Sequence, residues 1–485
     1  MGNDGAPPPD VAAALAAAAA AGPAPVYTAA DAAAGVLKRR ALDDASLPPS
    51  IQARVDALFP HLPPPVSAQT AVATILASVR DGGDEAVARL TADIDGVDVS
   101  AAGGGLRVSA ETVAAAVRRV DPALVAALRT SRDRVLAFHR KQPAGSWMTT
   151  DLGGVLGQLV RPIDSVGVYV PGGTAPLPST VIMSVVPALA AGVRRVVVVS
   201  PPERATGAIA DVTLAAIGVC MEVCGEGGTT APGVAMEVYR VGGAQAVAAL
   251  AHGTATIAPV VKIVGPGNVF VALAKRAVYG KVGIDGIYGP TEAVVLADDA
   301  ADPELVAADL LAQAEHDLMA AGILITPSAE LAARVNGALS RQLPPLDRES
   351  VARASLAANG GLVVAASMDE AVDLANGYAA EHVSLCVADP WALVGRVTNA
   401  GGLFLGEASC EVLGDYVAGP SHVMPTGGSA RFAGPLSVSD FVKVTSIVGV
   451  GAAEVPALAG MAEVMARAEG LGAHAEAARL RRGVE

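Results

Sequence analysis

The chain has 485 residues, 52% of them apolar and 17% charged, which is enough for about two or three domains with a large core and excludes disorder over most of the length. A formal charge of −14 with 3% aromatic residues predicts no nucleic-acid partner and no anionic membrane as a partner. No apolar run is long enough to span a membrane, and four cysteines are too few for a disulfide framework, so we expect a cytoplasmic protein.

The first 150 residues are predicted to be mainly helical. Residues 1–25 are rich in Ala, Pro and Gly and are expected to form a flexible tail. An Ala-rich stretch of this tail follows Asp10 instead of a basic residue, which is unlike a signal peptide, although organellar targeting by the tail stays open. Residues 26–150 show helical periodicity and are interpreted as an N-terminal helical region. Within it, Asp121 followed by Pro122 predicts the start of a helix.

Valine-rich runs that alternate with helical segments begin near residue 155. Such runs are typical of parallel strands buried on both faces, so the fold class is predicted to be α/β with two Rossmann-like parallel-sheet domains. We assign the first domain to 151–288 and the second to 289–410, followed by a loop-rich and helical C-terminal region over 411–485 with one helix from about 455 to 480. The predicted strands are 166–170, 195–199, 237–241, 261–264, 293–296, 322–326, 361–364, 383–387 and 402–405.

Two polar pairs stand out in the second predicted domain. Gln313 and His316 are three residues apart at the end of a predicted helix, where they share a face and could supply two metal ligands. An exposed polar helix end is the alternative. Glu381 and His382 place a carboxylate beside an imidazole at the mouth of a predicted strand, an arrangement that suits general acid–base catalysis.

Two further groups lie in the C-terminal region. Asp415 and His422 belong to a polar, Gly-rich loop over 414–428, and loops of this composition often carry function. Asp415 is a candidate metal ligand or orienting carboxylate. Glu469 and His474 are five residues apart on the predicted C-terminal helix, where a solvated amphipathic face is the alternative.

Glycine-rich loops in the first predicted domain indicate an anion site. Loop 265–268, which ends in Asn268, follows a predicted strand and opens a helix, and Gly242 and Gly243 do the same. Free N–H groups and the helix dipole favour phosphate at such positions. Neither loop has the spacing of a dinucleotide fingerprint or a Walker loop, so spacing alone does not specify NAD.

Taken together and in this order, eight segments over roughly 65–482 resemble the histidinol dehydrogenase family. Each is unspecific singly, but their order along the chain makes the resemblance specific. The segments are 166–173, 242–246, 262–268, 284–292, 309–316, 381–382, 414–426 and 469–475.

The resemblance implies an NAD-linked, zinc-dependent enzyme that oxidises L-histidinol through the aldehyde to L-histidine. It also implies a homodimer in which the C-terminal part of one chain reaches the partner's site. The implied acid–base pair is Glu381 and His382. The implied zinc ligands are Gln313, His316, Asp415 and His474. The implied NAD contacts are Tyr169, Gln245 and Asn268. The implied substrate contacts are the zinc ligands together with Thr291, His382, His422 and Glu469.

Departures from the family pattern leave the substrate open. Tyr288 and Thr291 stand where the family usually has Ala and Ser, and residues 218–236 look like an insertion. A relative that oxidises another small alcohol, such as a sulfonated diol, is therefore the alternative enzyme. A non-catalytic nucleotide-binding relative on the same fold is a further alternative, although the metal ligands and the acid–base pair are all present.

Overall fold

The computed structural model describes residues 9–37, 47–100, 104–172, 176–225 and 231–483. The strands, numbered β1 to β17 in chain order, are Val26–Thr28, Arg107–Val108, Trp147–Thr149, Gly154–Pro162, Ser165–Tyr169, Arg195–Ser200, Cys224–Gly225, Ala231–Pro232, Ala235–Arg240, Lys262–Val264, Gly283–Ile284, Glu292–Ala297, Ala321–Thr326, Gly361–Val364, His382–Cys386, Gly402–Leu405 and Val442–Val450.

The helices, numbered α1 to α18 in the same way, are Pro9–Ala20, Ala29–Ala34, Pro49–Leu58, Ala68–Asp95, Ala110–Arg119, Pro122–His139, Pro178–Ala191, Asp211–Met221, Gly243–His252, Val269–Val278, Pro303–Ala314, Ala329–Gln342, Glu349–Asn359, Met368–Tyr378, Trp391–Val394, Glu411–Leu413, Val455–Ala468 and Gly472–Arg479. Short turns of other pitch lie at Gly414–Ala418, Ser429–Arg431 and Val438–Phe441, the first of them π-helical.

The first sheet has the strand order β11-β10-β5-β6-β9-β2, and all of its pairs are parallel except β2 with β9. Its central strands are buried on both faces because helices cover them, which explains unbroken runs such as the four valines at 196–199. Strand order reverses between β10 and β5, so a crevice opens at the carboxyl ends of these strands. This edge positions the residues predicted to contact NAD.

The second sheet is fully parallel in the described residues and has the order β1-β14-β13-β12-β15-β16. Residues 285–291 run directly from the carboxyl end of β11 in the first sheet to the amino end of β12 in the second. The two sheets are therefore joined at opposite edges.

Since all nine valine-rich runs form strands of these two sheets, the predicted α/β fold class is confirmed. All strands of the first sheet precede residue 289, and those of the second sheet follow it except β1 at Val26–Thr28. The domain boundaries themselves stay predictions.

The N-terminal region differs from the prediction. Residues 9–20 form helix α1 instead of a flexible tail, and β1 joins the edge of the second sheet beside β14. Asn336 holds this segment: its amide donates to the carbonyls of Ala18 and Ala24 at 2.9 and 3.0 Å and accepts from Ala24 N at 3.0 Å. These contacts span more than 300 residues of chain, so local composition could not reveal them. Residues 1–8 of the predicted tail lie outside the described residues.

The C-terminal region contains a strand that the sequence reading assigned to loops. β17 pairs antiparallel with β4 along its whole length, and β3 extends the ribbon on the other side of β4. The single helix predicted over 455–480 is two helices, α17 and α18, separated at Gly470, which has a φ of 74°. Glu469 therefore ends one helix and His474 lies in the next, so the two residues do not lie on one continuous helix as predicted.

Two smaller predictions concern the start of helix α6 and the insertion over 218–236. α6 begins at Pro122 and Asp121 caps it by accepting from Ala123 N, as predicted. The predicted insertion over 218–236 contains the end of α8 and the short parallel pair of β7 and β8, with 226–230 outside the described residues. In the described part of the chain, no helix is long and apolar enough to cross a membrane.

Candidate active site

The acid–base pair lies where the second sheet begins. His382 is the first residue of β15, and its backbone pairs with Ala293 of β12. The Glu381 side chain accepts hydrogen bonds from the Thr291 hydroxyl at 2.6 Å and from Glu292 N at 3.2 Å. Both members of the pair are buried, Glu381 with 7% and His382 with 3% of its surface exposed. The amino ends of two neighbouring strands thus fix the carboxylate and the imidazole.

Three carboxylates surround the His382 imidazole. Its Nδ1 lies 3.7 Å from Glu411 Oε1 and 3.8 Å from Glu381 Oε2, and its Nε2 lies 3.6 Å from Asp415 Oδ1. Burial opposes a charge on the ring, but the attraction of Glu411, Glu381 and Asp415 outweighs it and raises the pKa of His382 to about 10. Burial raises the pKa of Glu381 to about 7 and that of Glu411 to about 8. The cluster can therefore hold and exchange protons near neutral pH.

Thr291 orients the neighbouring Gln313. The Gln313 amide nitrogen donates to the Thr291 hydroxyl at 2.9 Å, and the same hydroxyl donates to Glu381. Since Nε2 is engaged in this way, Oε1 must point elsewhere, and it is buried without a hydrogen-bond partner among the described residues. An unpaired buried amide oxygen is costly unless a ligand or ion completes it.

His316 joins the cluster from the turn that follows α11. The helix ends at Ala314, so His316 and Gln313 do not share a helix face as the spacing predicted. The turn is held by the Arg348 guanidinium, which donates to the carbonyls of Glu315 at 2.8 Å and His316 at 3.3 Å. Burial lowers the pKa of His316 and favours the neutral imidazole, the form that binds metal ions.

Asp415 lies on the π-helical turn at Gly414–Ala418, in the loop that was predicted to be functional. This turn is tied to α6, where the Ser131 hydroxyl donates to the Tyr416 carbonyl at 2.5 Å. His422 Nδ1 lies 3.0 Å from the Asp415 carbonyl, which places the imidazole behind the ligand residue. Asp415 Oδ1 is buried and, within the described ranges, makes no hydrogen bond. The loop thus presents a fixed carboxylate oxygen to the cluster.

The donors of this cluster fit a divalent cation. One ligand atom each of His316, Glu411 and Asp415 lies within 4.8 Å of the other two. Gln313 Oε1, buried and unpaired in the described residues, is a further neutral oxygen donor, and nitrogen and carboxylate donors of this kind suit zinc. A dication would also offset the excess negative charge of the three buried carboxylates around His382.

Glu411 is a site residue that the sequence reading missed. It is 3% exposed, and it lies four residues before Asp415, which is one helical turn. That spacing could have indicated a shared face, but the segment was assigned to loops. Its carboxylate faces both His382 and the candidate metal ligands.

The residues predicted to contact NAD lie at the carboxyl edge of the first sheet. Tyr169 ends β5, and its hydroxyl oxygen accepts from Gly243 N at 3.1 Å. Gln245, in the first turn of α9, has its Nε2 3.4 Å from Asp95 Oδ2. Asn268 caps α10 by accepting from the backbone N–H groups of its first turn, a role that would by itself account for Asn here. Asp95 was not singled out from the sequence, because its neighbours here are distant in the chain.

Glu469 and His474 are not brought to the cluster within one chain. Both side chains are exposed, at the end of α17 and in α18. The structure therefore assembles Thr291, Gln313, His316, Glu381, His382 and Asp415, with His422 behind them, and leaves these two residues on the surface. Their predicted roles as substrate contact and zinc ligand stay predictions.

Comparison with known proteins agrees with this architecture. The family model described as histidinol dehydrogenase matches residues 65–482. Histidinol dehydrogenases of Moorella thermoacetica and Thermus thermophilus are 51% and 49% identical to the chain, each over 84% of this chain and 93% of the relative. The crystal structure of histidinol dehydrogenase from Elizabethkingia anophelis superposes with a TM-score of 0.81 at 30% identity, covering 94% of this chain and 96% of that one.

The match over residues 65–482, together with the buried titratable cluster at the amino edge of the second sheet, identifies an enzyme. The chain belongs to the histidinol dehydrogenase family, and it is an oxidoreductase of that family.

Proposed function

We propose that the enzyme oxidises L-histidinol through L-histidinal to L-histidine, the last steps of histidine biosynthesis, with zinc and NAD. The observation that carries the proposal is the buried network in which Thr291 joins Gln313 to Glu381 beside His382. Such a network supplies both unpaired metal donors and groups that exchange protons near neutral pH. A cytoplasmic location remains a prediction from cysteine content.

The proposed metal ligands are Gln313, His316 and Asp415 of one chain with His474 of a second copy. A bound zinc ion would supply a Lewis acid that holds the amine and imidazole of the substrate. Glu411 lies close enough to be a further donor or to balance the charge. Thr291 orients the Gln313 side chain, while Arg348 and Ser131 hold the backbone turns that carry His316 and Asp415.

The acid–base work is assigned to His382 and Glu381. His382 would take the hydroxyl proton of the alcohol as the carbon is oxidised. Its Nε2 is buried and makes no hydrogen bond in the described part of the chain, so it is available to a substrate hydroxyl. If Asp415 binds the metal ion, its charge raises the pKa of His382 less strongly. The neutral imidazole, which can accept a proton, is then populated at lower pH. Glu381, with a pKa of about 7, would activate water for the second oxidation.

The dinucleotide is assigned to the carboxyl edge of the first sheet. A dinucleotide bound there would supply the hydride acceptor for each of the two oxidations, one NAD for each. Tyr169 ends β5 and Asn268 closes the loop after β10, and strand order reverses between these two strands, which is where such sheets bind nucleotides. Gln245 lies in α9, whose Gly243 N donates to the Tyr169 hydroxyl. Residues 285–291 connect this edge directly to Thr291, so cofactor and alcohol would meet between the two sheets.

We further propose a homodimer with shared sites. The antiparallel ribbon and α17–α18 expose large apolar side chains, among them Val448 at 71%, Val464 at 66% and Met465 at 65% exposed. Exposed apolar surface of this kind marks an association face. Association through this region would carry Glu469 and His474 to the site of the second copy, which supplies the zinc ligand that one chain lacks.

Histidinol is favoured over a sulfonated diol by the charges at the site. Glu469 would accept a hydrogen bond from the imidazole end of the substrate and would repel a sulfonate. Two cations near the C-terminal loop already have other contacts: Lys443 lies 3.5 Å from Asp164, and Arg431 donates to backbone carbonyls. The replacement of Ser by Thr291 keeps the hydroxyl that joins Gln313 to Glu381.

Metal analysis and a steady-state assay test this proposal. The purified enzyme should contain about one zinc per chain and should reduce NAD with L-histidinol, in an approximate ratio of two NADH per histidine. His316→Ala should lose zinc and nearly all activity while staying folded, and His61→Ala, at an exposed position, is the matched control. Full zinc in His316→Ala would refute the ligand assignment. A higher kcat/KM with a sulfonated or simple aliphatic alcohol than with histidinol would favour the alternative substrate.

Subunit complementation tests the shared site. A His382→Asn chain and a His474→Ala chain should each be nearly inactive alone. Mixed dimers should regain activity, because one of the two sites then has every group intact. If the enzyme sediments as a monomer and is fully active, the shared site is contradicted.

A further inference from the structure

A buried ion pair lies beside the predicted NAD loop and has no role in the proposed chemistry. Lys275 of α10 and Asp285, just after β11, are in contact, and their side chains are 2% and 1% exposed. Lys275 Nζ also donates to the Gly265 carbonyl at 2.9 Å. Asp285 Oδ2 accepts from Gly265 N at 2.7 Å, and its other oxygen accepts from Gly286 N at 2.8 Å. The pair therefore holds both backbone polar groups of one glycine.

Gly265 is the residue at which the NAD loop leaves β10. Its φ is 110°, and a Cβ there would lie 2.2 Å from the Tyr169 carbonyl oxygen. Only glycine tolerates this backbone and this close approach. The loop runs from here to Asn268, whose side chain caps α10. Lys275 and Asp285 fix its first residue, and the cap fixes its last.

The same pair holds the connector between the two sheets. The Lys275 ammonium lies 4.7 Å from the centroid of the Tyr288 ring, in a cation–π contact. Next to it, Gly289 N donates to the Thr426 hydroxyl at 2.6 Å. The connector then reaches Thr291 and the acid–base pair. One charged pair thus ties the cofactor loop to the segment that leads into the catalytic cluster.

We propose that Lys275 and Asp285 are positioning residues that hold the loop at 265–268 in the conformation that binds NAD. This inference rests on the proposed NAD site. An apolar pair of similar volume would support a core at least as well as a buried ion pair does, so stability alone does not explain these charges. Their hydrogen bonds to both backbone groups of Gly265 do explain them, because the loop can then keep its geometry before the cofactor arrives.

The test removes both charges together. In Lys275→Met/Asp285→Asn no charge is left unpaired, so the variant should fold. The matched control is Arg195→Met/Glu237→Gln, which removes a paired charge from the same sheet away from the loop. Titration with NAD and steady-state kinetics should show a Kd and KM for NAD raised by about 10- to 100-fold in the first variant. The KM for histidinol, the zinc content and kcat at saturating NAD should stay within about threefold of wild type. The control should leave all of these unchanged.

Different failures have different meanings. If wild type binds NAD and Lys275→Met/Asp285→Asn binds it equally tightly, the positioning role is overturned and the proposed function stands. If wild type does not bind NAD, the proposed function fails and this inference fails with it. Should this variant not fold, Lys275→Met/Asp285→Leu replaces the pair by apolar side chains of similar volume and again leaves no charge unpaired. A folded Lys275→Met/Asp285→Leu with unchanged NAD affinity would then overturn the inference.

Discussion

Replacing Thr291 by valine removes one hydroxyl and keeps the shape of the side chain. That hydroxyl donates to Glu381 Oε2 at 2.6 Å and accepts from Gln313 Nε2 at 2.9 Å. Glu381 would keep its bond from Glu292 N, and Gln313 would be free to turn its amide. The substitution therefore separates the acid–base carboxylate from the candidate metal ligand without opening a cavity.

Two effects of this substitution have magnitudes that follow from the buried contacts. The Gln313 amide nitrogen is left without its partner, which costs about 1–3 kcal/mol for a buried polar group, so the free energy of unfolding should fall by about that amount. Loss of an outer partner typically weakens metal binding by about 10- to 100-fold. Burial raises the pKa of Glu381, whereas His382 and the Thr291 hydrogen bond oppose that rise. Without the bond the pKa should rise further, and the carboxylate should form only at higher pH.

Thr291→Ser is the matched control, because serine keeps the hydroxyl and restores the residue that the family usually has. Competition with a chromophoric chelator would give the zinc affinity of wild type and both variants, and thermal unfolding would give their stability. Thr291→Ser should bind zinc within about threefold of wild type. If Thr291→Val holds zinc as tightly as Thr291→Ser, the hydroxyl does not orient Gln313 and the reasoning is refuted.

Three further predictions concern buried titratable groups. His382→Asn should lower kcat by about 10²–10⁴-fold with little change in the KM for histidinol, and a kcat near that of wild type would exclude His382 as the base. Glu411→Gln removes a carboxylate that raises the pKa of His382, so the acid limb of the kcat/KM profile should move to lower pH; an unmoved limb would show that Glu411 does not act on the imidazole. Burial raises the pKa of Asp95 from 3.8 to about 6, so the folded state binds the proton more tightly and stability falls as pH rises through this window. The free energy of unfolding of Asp95→Asn should therefore exceed that of wild type by about 1–3 kcal/mol at pH 7.5. Below about pH 4 the two should not differ, and urea titrations at both pH values would show this.

The fold was predictable wherever the signal is local. Runs of valine predict parallel strands that are buried on both faces, and Asp121 before Pro122 predicts the start of a helix. Helix α1 was not predictable, because the side chain that hydrogen-bonds to its Ala18 carbonyl, Asn336, lies 318 residues later in the chain. β17 was missed for the same reason, since its partner β4 lies some 280 residues earlier in the chain.

The site was predictable where a motif carries its own chemistry. The sequence alone indicates Glu381 beside His382, and Asp415 in a polar loop. Glu411 and Asp95 were not predictable, because their significance depends on neighbours that the chain brings in from afar: His382 in one case and Gln245 in the other. Asp285 lies in a segment that carries the family resemblance, but only its contact with Lys275 suggests what it does.

The two sheets use opposite edges, and this difference has a consequence for the chemistry. The proposed NAD contacts Tyr169 and Asn268 lie beyond the carboxyl ends of parallel strands, where ligands generally bind. The proposed substrate contacts Thr291 and His382 instead lie at the amino ends of β12 and β15. Helix α11 returns from the far edge of the second sheet and brings Gln313 to the same place. Because residues 285–291 join the carboxyl edge of one sheet to the amino edge of the other, a dinucleotide on the first sheet would face an alcohol on the second, as hydride transfer requires.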